Sequence, residues 1–178
     1  FISGTGSNLK NLINFSKTKK SPISIDLIIS NTIKAKGLKF ANQYQIKKKI
    51  FNFRNIKTTE KKLFILLKKN KINFICLAGF MKILSSKFIK QFNGKIINIH
   101  PSLLPRYKGL NTHSRAIQNK DKFSGCTVHY VTEKLDSGKI IMQKKIKILK
   151  KDTPSSLARK ILKQEHKIYP KAILKIFN

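Results

Sequence analysis

Short apolar runs alternate with segments of helical periodicity through the first hundred residues, and this alternation restricts the fold more than any other feature. Strand-like runs cover residues 24–30, 49–53, 74–79 and 95–100, with helical stripes between them. Strands and helices that alternate in this way pack as a doubly wound, mostly parallel sheet with helices on both faces. The sequence therefore predicts an α/β fold, and residues 1–3 are interpreted as the end of a first strand truncated at the N-terminus.

The second half of the chain continues this pattern with two more strands and a long final helix. The strands are expected over residues 126–132 and 139–149, and the helix over 153–177, where Pro170 is a candidate break. A length of 178 residues favours a single domain that spans residues 1–178. Other helices are expected over residues 8–15, 35–44 and 58–71, the last capped by Thr58 or Thr59, and near residue 86, capped by Ser85 or Ser86.

Hydropathy and cysteine content limit the cellular location. The longest apolar run covers residues 74–81, well below the roughly 18 residues that a membrane helix needs, so no membrane partner is expected. Cys76 and Cys126 lie in apolar runs and form neither a disulfide framework nor a Cys-x-x-Cys pair. We interpret them as small buried residues of a cytoplasmic protein.

The charge is strongly unbalanced, because 39 Lys and Arg oppose 7 Asp and Glu, for a formal net charge of +32. Lysines supply most of this charge and are spread along the whole chain, whereas phosphate recognition usually favours arginine. Lys, Ile and Asn all have A/T-rich codons, which favours compositional drift over a selected basic field. Nucleic acid is therefore not the expected partner, although the charge would still speed encounter with anionic small molecules.

Polar residues follow several of the predicted strands where each one ends. They occupy residues 4–8, 79–84, 98–100 and 132–136. In doubly wound sheets the ligand lies beyond the carboxyl ends of the strands. We therefore expect these four segments to converge on one crevice.

The residue types at these strand ends suggest both anion binding and proton transfer. Gly6, Ser7 and Asn8 combine a tight turn with a helix N-terminus, which suits a phosphate, although an ordinary capped turn is the alternative. Asn98 and His100 alternate on one strand and can stabilise negative charge or move a proton. From residue type alone, structural roles stay open for His100 and for Asp136 in its turn. The remaining histidines lack metal-ligand spacing and are interpreted as structural: His113, His129 and His166.

Longer motifs around these residues resemble the folate-dependent formyltransferase superfamily. Asn-Ile-His-Pro-Ser-Leu-Leu-Pro covers residues 98–105, and Leu-Asp-Ser-Gly covers residues 135–138. Ile-Ser-Gly-Thr-Gly-Ser-Asn-Leu at 2–9, Leu-Ala-Gly-Phe-Met-Lys-Ile-Leu at 77–84 and Gln-Glu-His-Lys-Ile-Tyr-Pro at 164–170 narrow the resemblance to the branch that formylates glycinamide ribonucleotide. The resemblance covers essentially the whole chain and implies a Rossmann-like formyltransferase fold.

The resemblance implies formyl transfer from 10-formyltetrahydrofolate to the amine of 5-phosphoribosylglycinamide in purine biosynthesis, without a metal. It implies that Asn98 stabilises the oxyanion, that a protonated His100 donates the proton, and that Asp136 raises the pKa of His100 and relays protons. Gly6, Ser7, Asn8 and Glu165 would bind the ribonucleotide. The folate would contact a longer set of residues, namely Met81, Lys82, Ile83, Leu84, Asn98, Thr132, Glu133, Lys134, Leu135 and Asp136.

Some positions depart from the family pattern, and related functions remain as alternatives. Leu162 and Asn111 replace a family Gln and His, and an Arg near Glu60 is missing, which affects peripheral substrate contacts. Methionyl-tRNA formyltransferase shares the central motifs, but we expect no second, RNA-binding domain here. Formyltetrahydrofolate hydrolase is disfavoured by Pro101 and by the expected lack of a regulatory domain, and a basic nucleic-acid-binding module by the lack of an aromatic stacking motif. The oligomer is expected to be a monomer or a homodimer.

Overall fold

A computed structural model describes residues 1–178, which divide into two compact units. The first unit contains residues Phe1–Ile97 and the second contains Asn98–Asn178. Both units combine helices with strands, which confirms the predicted α/β class. The prediction of one domain over residues 1–178 stays a prediction.

The first unit contains most of the alternating elements. They are α1 (Ser7–Ser16), β1 (Leu27–Ser30), a short 3-10 helix (Lys36–Leu38), α2 (Lys39–Gln43), β2 (Lys47–Ile50), α3 (Ile56–Lys69), β3 (Phe74–Leu77), α4 (Ser86–Gln91) and the first half of β4 (Lys95–His100).

Residues 1–3 connect the strands of the first unit. Strands β1 and β2 pair in parallel, and Ile2 forms an isolated parallel bridge to Ser30. The N–H of Ile2 donates to the Ile29 carbonyl at 2.9 Å, and the N–H of Ala78, just after β3, donates to the Phe1 carbonyl at 2.9 Å. Residues 1–3 therefore lie between β1 and β3, as expected of the end of a strand.

The second unit contains the end of β4, α5 (Thr112–Gln118), β5 (Phe123–Tyr130), β6 (Ile140–Lys147) and α6 (Pro154–Phe177). Strands β5 and β6 pair antiparallel, with an irregularity between Val128 and His129. Helix α6 buries Leu157, Ile161 and Ile168, a helical spacing that gives this unit an apolar core. Parallel pairing in one unit and antiparallel pairing in the other make the fold mixed rather than uniformly parallel.

Several boundaries differ from the sequence predictions. Strand β2 lies at Lys47–Ile50 rather than at residues 49–53, because the exposed lysines pair with β1 although their side chains carry no apolar pattern. The N-cap of α3 is Asn55, whose side chain accepts the Thr58 N–H, so the predicted threonine cap is wrong. Ser85, one of the two predicted residues, caps α4.

Helix α6 runs through Pro170 without a break. A proline removes one backbone hydrogen bond from a helix and normally bends or ends it. Here the neighbouring residues Tyr169, Ala172 and Ile173 are all fully buried, so packing on both sides of the proline keeps the helix continuous. None of the helices has both the length and the apolar character required to cross a bilayer.

Two glycines in the first unit approach each other closely. Gly6 has a left-handed backbone with φ 76°, and a Cβ atom added there would lie 2.5 Å from the Gly37 Cα. A Cβ added at Gly37 would lie 2.8 Å from the Gly6 Cα, and the Gly37 N–H donates to the Gly4 carbonyl at 3.0 Å. This contact fixes the backbone of the turn that precedes α1.

We expect Gly37→Ala to destabilise the protein by about 1–3 kcal/mol, because the added methyl group would push against backbone that cannot move without breaking the turn. Urea denaturation followed by circular dichroism measures this change. Gly4→Ala is the matched control, since a Cβ there meets nothing within 4 Å. Equal stability of the two variants would contradict the assigned glycine contact.

Candidate active site

His100 is the last residue of β4, and its ring is buried with a partner on each nitrogen. The Nε2 atom lies 2.9 Å from the Tyr107 carbonyl, and Nδ1 lies 3.4 Å from Asp136 Oδ2. A carbonyl can only accept, so the Tyr107 contact places a proton on Nε2. The Nδ1 atom, which faces a carboxylate, is therefore the position that can take up a second proton.

Asp136 lies in the connection between β5 and β6, with a left-handed backbone at φ 45°. Its Oδ2 atom accepts the Gly109 N–H at 2.8 Å. Its Oδ1 atom lies 3.6 Å from His129 Nε2. One carboxylate therefore contacts two imidazole rings and a backbone amide.

His129 is a member of this cluster that the sequence interpretation missed. The side chain is fully buried, its Nδ1 donates to the Tyr130 carbonyl at 2.8 Å, and Asn98 Nδ2 lies 3.3 Å from its Nε2. With Nδ1 donating to the Tyr130 carbonyl, Nε2 is the ring atom that faces both the Asn98 amide and Asp136. The only sequence signal was alternation with Thr127, which places both side chains on one face of β5.

Burial and neighbouring charges shift the pKa values of this cluster in opposing ways. Burial lowers the pKa of His100 below its ordinary 6.5, although the Tyr107 carbonyl and Asp136 act to raise it. Burial acts to raise the pKa of Asp136, but His129, the Gly109 N–H and His100 together hold it below its ordinary value. Asp136 thus acts on His100 in the predicted direction, while the net effect of the surroundings favours a neutral ring.

The cluster can bind a polar group and move a proton. Asn98 offers an amide donor, the His100–Asp136 pair offers a proton acceptor at Nδ1, and Asp136 stays ionised at neutral pH. Three of the predicted site residues, Asn98, His100 and Asp136, are thus brought together around His129.

The predicted phosphate residues lie at the start of α1 in the first unit. Gly6 is the N-cap residue, Ser7 is the first helical residue, and Asn8 is buried. The first N–H groups of a helix lack intrahelical partners and favour an anion. Their role as a phosphate site stays a prediction.

The first predicted folate segment is held by two contacts within the first unit. The Met81 N–H donates to Ser3 Oγ at 2.7 Å, and at the other end the Ser85 N–H donates to Glu60 Oε1 at 2.7 Å. Leu84 is buried, whereas Met81, Lys82 and Ile83 are exposed.

The remaining predicted residues lie in the second unit. Glu165 is buried on α6 near Cys126, and burial together with that carboxylate raises the pKa of the Cys126 thiol to about 12. The second predicted folate segment is exposed and leads into Asp136; it consists of Thr132, Glu133, Lys134 and Leu135. These substrate contacts also stay predictions.

Comparison with known proteins finds a matching family, similar sequences and similar solved structures for this chain. Residues 1–173 match the formyl transferase family. The phosphoribosylglycinamide formyltransferase of Haemophilus influenzae is 42% identical over 97% of this chain and 82% of its own length. A crystal structure of the Bacillus halodurans phosphoribosylglycinamide formyltransferase superposes with a TM-score of 0.95 at 32% identity and covers 100% of this chain and 93% of its own.

A human relative is much longer. The trifunctional purine biosynthetic protein adenosine-3 of Homo sapiens is 41% identical over 97% of this chain. The chain spans only 17% of the length of that protein.

We expect the second unit to lose stability as the pH falls below about 6.5. Three of its histidines, His100, His113 and His166, have pKa values that burial holds below the ordinary 6.5. The unfolded chain then binds more protons than the folded one, so acid favours unfolding, and the stability is fully present above pH 6.5. Urea denaturation at pH 7.5 and 5.5, at constant ionic strength, measures the loss.

A control separates the histidines from general charge repulsion in this basic chain. The double variant His113→Gln, His166→Gln should lose less stability over the same pH interval. A pH dependence as steep as that of the wild type would contradict the assignment to buried neutral histidines.

Proposed function

The chain belongs to the formyl transferase family, and we propose that it transfers a formyl group from 10-formyltetrahydrofolate to the amine of 5-phosphoribosylglycinamide. The products are formylglycinamide ribonucleotide and tetrahydrofolate, a step of de novo purine biosynthesis. The cluster of half-buried Asn98 with buried His100, His129 and Asp136 is the observation that carries this proposal.

The reaction forms one C–N bond and breaks another. The neutral amine attacks the formyl carbon, negative charge collects on the formyl oxygen, and the C–N bond to the folate then breaks. One proton leaves the amine and one reaches the departing folate nitrogen. No enzyme nucleophile is required, so the residues only stabilise charge and move a proton.

Asn98 is proposed to donate its amide N–H to the formyl oxygen as charge develops there. Its Nδ2 atom lies 3.3 Å from His129 Nε2, and half-buried Asn98 can turn this donor toward a stronger acceptor. A charged acceptor makes a stronger hydrogen bond than a neutral one, so the contribution grows in the transition state.

His100 is proposed to begin the reaction neutral, which differs from the expectation of a protonated ring. Burial lowers its pKa, and its Nε2 proton is committed to the Tyr107 carbonyl. The Nδ1 atom therefore accepts the proton of the amine while Asp136, 3.4 Å away, stabilises the resulting imidazolium. His100 then donates this proton toward the folate nitrogen, directly or through water.

The substrate contacts are proposed from the motif positions. Gly6, Ser7 and Asn8 would hold the ribonucleotide phosphate at the α1 N-terminus, and Glu165 would contact the ribose. The folate would lie against residues 81–84 and 132–135. The protein is proposed to be a monomer or a homodimer. Cys76 and Cys126 form no disulfide, which supports a reducing, cytoplasmic location.

We expect Asp136→Asn to lower kcat for glycinamide ribonucleotide by about two orders of magnitude, because the neutral amide cannot stabilise the imidazolium. Steady-state kinetics with purified protein measure this change. The control is Asp26→Asn, which alters an exposed carboxylate that accepts a hydrogen bond from Ser24. A kcat of Asp136→Asn close to that of the control would remove Asp136 from the proton path.

Ser7→Asp should raise the KM for glycinamide ribonucleotide at least about tenfold and leave kcat nearly unchanged. A carboxylate at the α1 N-terminus repels the phosphate and competes for the same N–H groups. Thr18→Asp, two residues after α1 ends, adds the same charge at the opposite end. If both variants raise KM equally, the phosphate lies elsewhere.

The acceptor is tested by offering glycinamide ribonucleotide and charged initiator tRNA side by side with 10-formyltetrahydrofolate. Formylation of the ribonucleotide alone supports the proposal. Formylation of the tRNA would instead support the methionyl-tRNA formyltransferase alternative.

A further inference from the structure

The segment between β4 and α5 supplies backbone contacts to both members of the proposed catalytic pair. The Tyr107 carbonyl accepts from His100 Nε2 at 2.9 Å, and the Gly109 N–H donates to Asp136 Oδ2 at 2.8 Å. The two backbone groups are only two residues apart in the chain. A shift of this short segment would therefore change the proton position on His100 and the hydrogen bonding of Asp136 together.

The backbone of this segment is held in an unfavourable conformation. Tyr107 has φ 54° and Gly109 has φ 76°. The left-handed region is accessible to glycine but disfavoured for an aromatic residue, which adopts it only where its surroundings enforce it. The carbonyl of Tyr107 points at His100 only while this conformation persists.

The Tyr107 side chain makes the contacts that can enforce it. Its hydroxyl donates to Asp121 Oδ2 at 2.7 Å and accepts from Asn119 Nδ2 at 2.9 Å. The guanidinium carbons of Arg106 and Arg115 lie 5.1 and 5.0 Å from the ring centroid, within the range of a cation–π interaction.

The partners of Tyr107 are themselves fixed. Asp121 is almost fully buried as a side chain and also accepts from Arg106 Nη2 at 2.8 Å. Arg115 Nη1 donates to the Lys108 carbonyl at 2.7 Å, which ties the backbone between Tyr107 and Gly109 to the first turns of α5. The hydroxyl and the ring face of Tyr107 thus connect the segment to the region around the end of α5.

We propose that Tyr107 is a positioning residue, whose side chain, held by Asp121, Asn119 and Arg115, keeps the backbone of residues 107–109 aligned with His100 and Asp136. The kinetic part of this inference rests on the proposed function. The alignment of residues 107–109 with His100 and Asp136 does not rest on the proposed function, because it concerns the proton position on His100 in the free protein.

Ser102 provides the competing explanation. Its hydroxyl donates to the Arg106 carbonyl at 2.6 Å and lies 3.4 Å from the Tyr107 carbonyl, so the backbone could hold its shape without the tyrosine ring. Under that explanation, glycine at position 107 would be harmless or favourable, since it removes the conformational strain.

The test compares Tyr107→Phe, which removes only the hydroxyl, with Tyr107→Gly, which removes the whole side chain and the strain. Tyr44→Phe is the control, because it removes the hydroxyl of a different tyrosine. That hydroxyl donates to Asn14 Oδ1 at 3.1 Å. The first readout is the ¹⁵N spectrum of histidine ring nitrogens in the free proteins, with the His100 signals assigned from His100→Gln. The second is steady-state kinetics.

The wild type and Tyr44→Phe should show His100 with its proton on Nε2. Tyr107→Phe loses the hydrogen bonds of the hydroxyl to Asp121, Asn119 and Arg106. We expect it to show exchange between the two ring tautomers and a kcat about five- to tenfold lower, with KM within about twofold. Tyr107→Gly should show larger changes in both readouts. If Tyr107→Phe does not fold, Asp121→Asn takes its place and should shift both readouts in the same direction.

An unchanged His100 tautomer in Tyr107→Gly, or in Asp121→Asn where that variant is used, would overturn the inference in favour of Ser102. If the wild type fails to formylate glycinamide ribonucleotide, the proposed function falls. The tautomer spectra would still decide the role of Tyr107 in that case.

Discussion

A buried carboxylate shared between two imidazole rings is the interaction on which the site depends. Asp136 lies 3.4 Å from His100 Nδ1 and 3.6 Å from His129 Nε2, and little water reaches any of the three. An ionised carboxylate in such a place is tolerated only with hydrogen-bond donors around it, and the Gly109 N–H supplies one of them. The turn at Asp136, with its left-handed backbone, and the end of β4 together bring these groups close to one another.

Much of the framework could be predicted from local sequence. Alternating periodicity indicated the α/β class, the cap of α4 was narrowed to Ser85 or Ser86, and α6 was expected over residues 153–177 with a candidate break at Pro170 that the structure does not have. The candidate residues Asn98, His100 and Asp136 came from the resemblance of two short motifs to a known family, and their catalytic roles stay predictions. Local patterns sufficed for these elements because their burial and capping involve residues near one another in the chain, although the equally local cap of α3 at Asn55 was missed.

Other features depend on contacts between distant residues. His129 joins the site through Asn98, 31 positions away, and Tyr107 is held by a side chain 14 positions away, so neither had a local signal. The lowered pKa of His100 has the same origin, because burial outweighs the effect of its carboxylate partner. Strand β2 was misplaced because it forms by pairing with β1, whereas its exposed lysines give no apolar pattern in the sequence.

The close approach of Gly6 and Gly37 has a consequence for how this sequence can change over generations. Each position rejects a methyl group because of the other's backbone, so neither can be compensated by a substitution at its neighbour, which is already the smallest residue. The chain is rich in lysine, and much of its surface can accept other residues. A bias toward A/T-rich codons nevertheless cannot replace these two glycines. We expect stable variants of this sequence to keep glycine at both positions.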